Sequence, residues 1–146
     1  MGALELARAL DRPDLLATRV RTALESLEDA DTVGVAEIDP TVADTAAFCE
    51  RYRVGPEESA NCVVLAARRD GAVVFAACVV LATTRADVNG VVRRHLGARK
   101  VSFAPMAVAV EETEMEYGGI TPVGLPDNWP LLVDAAVAAA DAVVIG

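Results

Sequence analysis

Asn61-Cys62-Val63-Val64-Leu65-Ala66-Ala67, then Arg68-Arg69-Asp70-Gly71, then Ala72-Val73-Val74-Phe75-Ala76-Ala77-Cys78-Val79-Val80-Leu81, is the stretch from which the fold is read. Two apolar runs rich in β-branched residues flank a short polar segment containing Asp-Gly, the pattern of a β-hairpin. Neither run alternates apolar with polar residues, so both strands are expected to be buried on both faces. A hairpin of that kind needs further elements to cover each side of the sheet.

Outward from the hairpin, those elements follow. Asp44 is placed to cap a helix reaching about Arg53, with Ala47, Phe48 and Tyr52 on its apolar face. Residues 87–96 repeat Val88, Val91, Val92 and Leu96 at helical spacing, and Gly97 stops the run. Lys100–Phe103 reads as a strand and 105–113 as a short helix. Leu131–Val133, a helix over 135–140 and a strand over 143–145 complete an α/β pattern with mixed strands. Upstream, 4–10 and 13–29 read as helices and Thr32–Ile38 as a short strand broken at Asp39-Pro40. We divide the chain into an N-terminal helical segment, 1–31, and a main domain, 32–146.

Composition narrows the function. A chain of 146 residues is long enough for one core, and with 53% apolar but only 4% aromatic residues that core is built from Val, Ala, Leu and Ile. No apolar run reaches the roughly 18 residues of a membrane span, and the first residues lack the order of a secretion signal, so a cytoplasmic protein without membrane contact is expected. The net charge of −9 opposes a long phosphate-tracking groove; any RNA contact is expected to be confined to the tip of the ligand. Cys49, Cys62 and Cys78 are odd in number and widely spaced, and His95 is the only histidine, so neither a disulfide framework nor a metal centre is expected. No cofactor motif is present.

The main candidate for chemistry lies near the C-terminal end. Gly118-Gly119-Ile120-Thr121-Pro122-Val123-Gly124 is followed by Leu131-Leu132-Val133-Asp134. Adjacent glycines ahead of a hydroxyl residue and a proline make a stiff loop whose amides can face a ligand without a Cβ in the way. Thr121 either joins such a site or closes its own ST-turn, and Asp134 either orients the loop or caps the next helix. Glu111, Glu112, Glu114 and Glu116 read as a solvated face rather than a metal site, Arg68-Arg69 and Arg93-Arg94 as surface pairs, and Trp129 as packing at a turn.

Taken in order, Asp44-Thr45-Ala46-Ala47, the lead-in Pro56-Glu57-Glu58-Ser59-Ala60-Asn61, Leu96-Gly97-Ala98-Arg99-Lys100-Val101, the glycine loop and Asp134 resemble the YbaK/prolyl-tRNA-synthetase-associated family of aminoacyl-tRNA editing domains over about residues 32–146. The resemblance implies a single α/β domain with a mixed, mostly antiparallel, barrel-like sheet and surrounding helices. It further implies hydrolysis, without a Ser or Cys nucleophile, of the ester joining a wrong amino acid to the 3′ end of tRNA. In that scheme Gly118 and Gly119 polarise the ester carbonyl, and Ile120, Thr121 and Pro122 continue the wall. Asn61 stands where the family keeps its lysine, with Cys62 beside it, and a slip of one residue would put Ala60 there. The implied partners are the 3′ end of aminoacyl-tRNA and an aminoacyl-tRNA synthetase.

Two departures qualify the resemblance. Asn61 carries no positive charge, and the only lysine is Lys100. The family pattern also continues past the position of Gly146 with another glycine turn and an acidic strand, so the domain is expected to be short at that end. The enzyme reading is a deacylase acting in trans on tRNA carrying a small amino acid. The alternatives are a weakened relative that binds an aminoacyl-adenosine-like ligand or a protein, and an interaction protein acting through its N-terminal helices.

Overall fold

The computed structural model describes residues 1–146. Its centre is the expected hairpin: β3 (Ser59–Arg69) runs antiparallel to β4 (Ala72–Leu81), from Ala60 opposite Leu81 to Arg69 opposite Ala72. Asp70 and Gly71 make the turn with φ of 51° and 83°, the left-handed geometry that Asp-Gly tolerates. On its other edge β3 carries two strands in succession. β5 (Lys100–Phe103) pairs antiparallel with Leu65–Arg68, and β7 (Val144–Ile145) pairs parallel with Ser59 and Ala60. β6 (Leu131–Val133) pairs parallel with Ala77–Val79 of β4. The sheet is therefore mixed and mostly antiparallel, but it is open: β5 and β6 stand at opposite edges and do not join, so the barrel-like closure is corrected.

Alternation along β3 and β4 feeds two apolar layers. Ala60, Cys62 and Val64 with Ala77, Val79 and Leu81 face one core, which also takes Ala9, Val20, Leu24, Met115, Ile120 and Val137. Leu65 and Ala67 with Ala76, Cys78 and Val80 face the other, covered by Val88, Val92, Leu96, Ala98 and Val101. Both faces are buried, as the unbroken apolar runs require. A fully buried Leu65 contributes about 2 kcal/mol relative to an exposed one.

The helices mostly follow their caps. α2 (Thr45–Tyr52) starts where the Asp44 carboxylate accepts from the Ala46 and Ala47 amides. Residues 88–92 wind as a π-helix before the single turn of α3 (Arg93–His95), because the two Asp87 oxygens hold the Gly90 and Val91 amides and the Val92 amide reaches back to the Asp87 carbonyl. α4 (Met106–Thr113) and α5 (Ala135–Ala138) complete the set.

The N-terminal region departs from its helical pattern. Ala7–Arg8 is a short strand, β1, paired antiparallel with β2 (Gly34–Val35), and only Thr18–Glu25 forms a regular helix, α1. Tertiary contact overrides helical spacing here. The Ala9 amide donates to the Val33 carbonyl, Leu16 is extended, and Leu24 is 1% exposed inside the first core.

Candidate functional site

Four segments distant in sequence meet at the lower end of β3. Gly118 has φ of +83°, and a Cβ there would lie 2.7 Å from the Cβ of Ala43, just ahead of α2. The Gly118 carbonyl lies against Gly146, where a Cβ would approach it to 2.8 Å. Since β7 pairs Ile145 with Ala60, one further step of that register brings Gly146 alongside Asn61. From α2, the Thr45 hydroxyl donates to Oδ1 of Asn61 at 2.8 Å. The glycine loop, the start of α2, the end of β7 and Asn61 thus form one neighbourhood of small side chains.

Hydrogen bonding sorts the expected site residues. The Gly119 amide donates to the Glu116 carbonyl at 3.0 Å, closing a turn, so it is occupied and is not a free donor. The amides on either side, at Gly118 and Ile120, have no partner within the protein. Thr121 closes an ST-turn: its hydroxyl accepts from the Val123 amide at 3.0 Å, and its own amide points at the Met115 sulfur at 3.4 Å. Pro122 contributes no amide and directs the chain toward Gly124, which lies against the Arg19 backbone of α1. The Ile120 side chain is buried in the first core, so only its backbone is left for a ligand.

Asn61 is half-buried, and with Oδ1 engaged by Thr45 its amide nitrogen makes no hydrogen bond within the protein. Two donors therefore remain to face an incoming group. Cys62 points through the sheet into the first core, away from Asn61, because adjacent strand residues face opposite sides. Burial pushes its thiol up to about 12. It stays protonated near neutrality and is core rather than substrate wall.

Asp134 caps α5, its carboxylate accepting from the Ala136 amide at 2.8 Å, while its own amide donates to the Val79 carbonyl. It makes no hydrogen bond to the glycine loop. Glu114, ending α4, adopts φ of 56°, a left-handed geometry natural to glycine, and its carboxylate takes a 2.5 Å ion pair from Arg19. Trp129 packs on Phe75 with ring centroids 5.3 Å apart. The roles of Ala43, Thr45 and Gly146 were missed from sequence. The cap at Asp44 marked the start of α2, but nothing local ties Ala43 to Gly118.

An open α/β sheet with a glycine loop held against a helix start defines the class. The chain matches the model of the aminoacyl-tRNA editing domain family over residues 39–146 and belongs to that family. Solved structures share the fold, among them the following three. Hypothetical protein APE2540 is 25% identical with a TM-score of 0.61, over 71% of this chain and 66% of its own, so the present chain spans a little under two thirds of that protein. A structure described as a candidate trans-editing enzyme for prolyl tRNA synthetase is 21% identical with a TM-score of 0.63, over 81% and 71%. A scaffold protein used for computational grafting of linear epitopes is 19% identical with a TM-score of 0.66, over 85% and 75%. No curated protein matches the chain. No helix is long and apolar enough to cross a membrane.

Proposed function

We propose that this protein hydrolyses the ester of mischarged tRNA in trans, removing a small amino acid. The observation that carries the reading is that the glycine loop, whose Gly118 and Ile120 amides are unpaired, lies against Ala43 and Gly146 at the end of β3 that bears the free amide nitrogen of Asn61. In a deacylation the ester carbonyl gains negative charge as water adds, and preorganised N–H donors stabilise that charge without reorganising. The Gly118 and Ile120 amides take this part. Asn61 donates to the ribose or terminal phosphate, where its neutral amide forgoes the charge-assisted strength of a lysine. Cys62 is no nucleophile, since its thiol is buried and protonated. Asp134 holds α5 rather than the substrate. The neighbour described as a candidate trans-editing enzyme supports the assignment of action in trans.

A panel of tRNAs mischarged with Ala, Ser, Cys or Pro, incubated with the protein and with Gly118→Val, tests this. The expected result is release of at least one small amino acid by the parent and not by the variant. Equal background release from both removes the enzyme reading. The missing positive charge at Asn61 favours a second reading, a binding module for an aminoacyl-adenosine-like ligand. Asn61→Lys separates the two: a gain of hydrolysis from an inactive parent supports binding alone.

A further inference from the structure

The turn between β3 and β4 lies at the opposite end of the hairpin and gathers positive charge. Arg68 stands directly across from Lys100 in the β3–β5 register, and the Arg99 amide donates to the Arg68 carbonyl at 2.8 Å. The turn that follows α3 folds back through the Gly97 and Ala98 amides onto the carbonyls of Arg94 and Arg93, two further basic residues, of which Arg93 donates its Nε to the Asn89 carbonyl. These segments hold six of the 13 basic residues and, in Asp70, one of the 22 acids. Asp70 pairs with Arg69 at 3.7 Å, whereas Arg68, Arg99 and Lys100 have no acidic partner.

Like charges directly opposite across a ladder destabilise the pair, and an acidic protein has carboxylates enough to relieve them. Here they are not relieved. Arg68, Arg69, Asp70, Gly71, Gly97 and Arg99 line an exposed cavity of about 380 Å³ with no apolar side chain in its wall. Beyond Gly71 and Gly97 there is open space, so the backbone itself can be approached. Guanidinium groups on a polar, open concavity suit phosphate oxygens, which they bind in bidentate fashion.

We infer that this cluster is a second contact site for the phosphate backbone of the RNA whose acyl end enters the glycine loop; the identity of the polyanion rests on the editing reading. Arg68 lies seven residues beyond Asn61 along β3, about 23 Å at roughly 3.3 Å per residue; the two side chains alternate to opposite faces of the strand, and that span lets the body of a structured RNA held at its tip reach the hairpin turn. The remainder of the surface, being acidic, repels RNA and so fixes the direction of approach. RNA contact then extends beyond the tip, further than net charge alone predicts.

The test is binding of uncharged tRNA, read by fluorescence anisotropy across a salt series. Arg68→Ala/Arg99→Ala/Lys100→Ala is compared with the control Arg12→Ala/Arg21→Ala/Arg51→Ala, which removes equal charge elsewhere. The expected result is a loss of about 10- to 100-fold in affinity and a salt slope shallower by about 2 for the cluster variant, with the control near the parent. Hydrolysis of a short aminoacylated trinucleotide, which cannot reach the cluster, is unchanged by the cluster variant. Equal losses in both triple variants, or preferential binding of anionic phospholipid vesicles over tRNA, overturn the inference. Because this binding needs no catalysis, failure of the deacylation reading leaves it separately decidable. On the unmutated chain, tRNA should slow acetylation of Lys100 relative to the N-terminal amine; no protection contradicts the site.

Discussion

The two ends of β3 differ in what they offer a ligand. At the Asn61 end the offering is backbone: Gly118 and Ile120 amides and a neutral side-chain amide, with no cation among these donors. At the Arg68 end it is side chains, three cations without an acidic partner over an open concavity. Short-range donors fix a reacting atom but exert little force at a distance, whereas cations steer from about a Debye length away and carry little positional information. On the proposed reading one hairpin separates chemistry from capture, and each end should be open to damage without the other.

The largest effect should come from Gly118→Val, which forces a β-branched residue into a left-handed geometry against Ala43. Deacylation should fall by about 100-fold or more, while tRNA affinity, held by the opposite end, stays within about threefold. A parallel loss of both would mean that the ends are not independent. Both ends hang on one sheet, so Leu24→Ala, which empties a site 1% exposed beneath it, should lower unfolding free energy by about 2–5 kcal/mol in urea titrations. An unchanged midpoint would show that residues 1–31 are not part of the fold.

Asn61→Ala should reduce kcat/KM on charged tRNA by about tenfold, the worth of one donor to a charged group, mostly through KM, because the ribose and phosphate it contacts are bound in the ground state too. Gly119→Ala is the contrasting change within the glycine pair. Its φ is not left-handed, and a Cβ would meet only the Glu116 carbonyl at 3.6 Å, so activity should stay within about threefold of the parent. A large loss there would restore the Gly119 amide to the site.

The smallest effect concerns Cys62. Its folded thiol titrates near 12 against an ordinary 9.0, because burial disfavours the thiolate. The folded state thus holds its proton more tightly than the unfolded one, so the contribution is fully present below pH 9 and lost as pH rises toward 12. Urea midpoints should decline across that window, and less steeply in Cys62→Ala. Hydrolysis at neutral pH should carry no inflection from this group.

What was legible in the sequence follows local chemistry. The hairpin was readable because β-branched runs around Asp-Gly have few alternatives, and Asp44 announced α2 because a cap acts within three residues. The edge strands Lys100–Phe103 and Leu131–Val133 were legible as strands but not in their order within the sheet, and the N-terminal region was not legible, because β1 pairing with β2 depends on a partner far along the chain. The glycine loop was visible as a loop, yet which of its amides stayed free was decided by the turn back to Glu116. The cation cluster was hidden for the same reason: Arg68 and Lys100 become neighbours only through the β3–β5 register.

The central claim is that the unpaired amides of the glycine loop, together with Asn61, receive the acyl end of the substrate. Amide NMR of the labelled protein titrated with a non-hydrolysable aminoacyl-adenosine analogue tests it most directly. The account predicts the largest shifts at the Gly118 and Ile120 amides and the Asn61 side-chain NH2, with the Gly119 amide, tied to Glu116, moving less. Shifts confined to other surfaces, or none at saturating analogue, would contradict it.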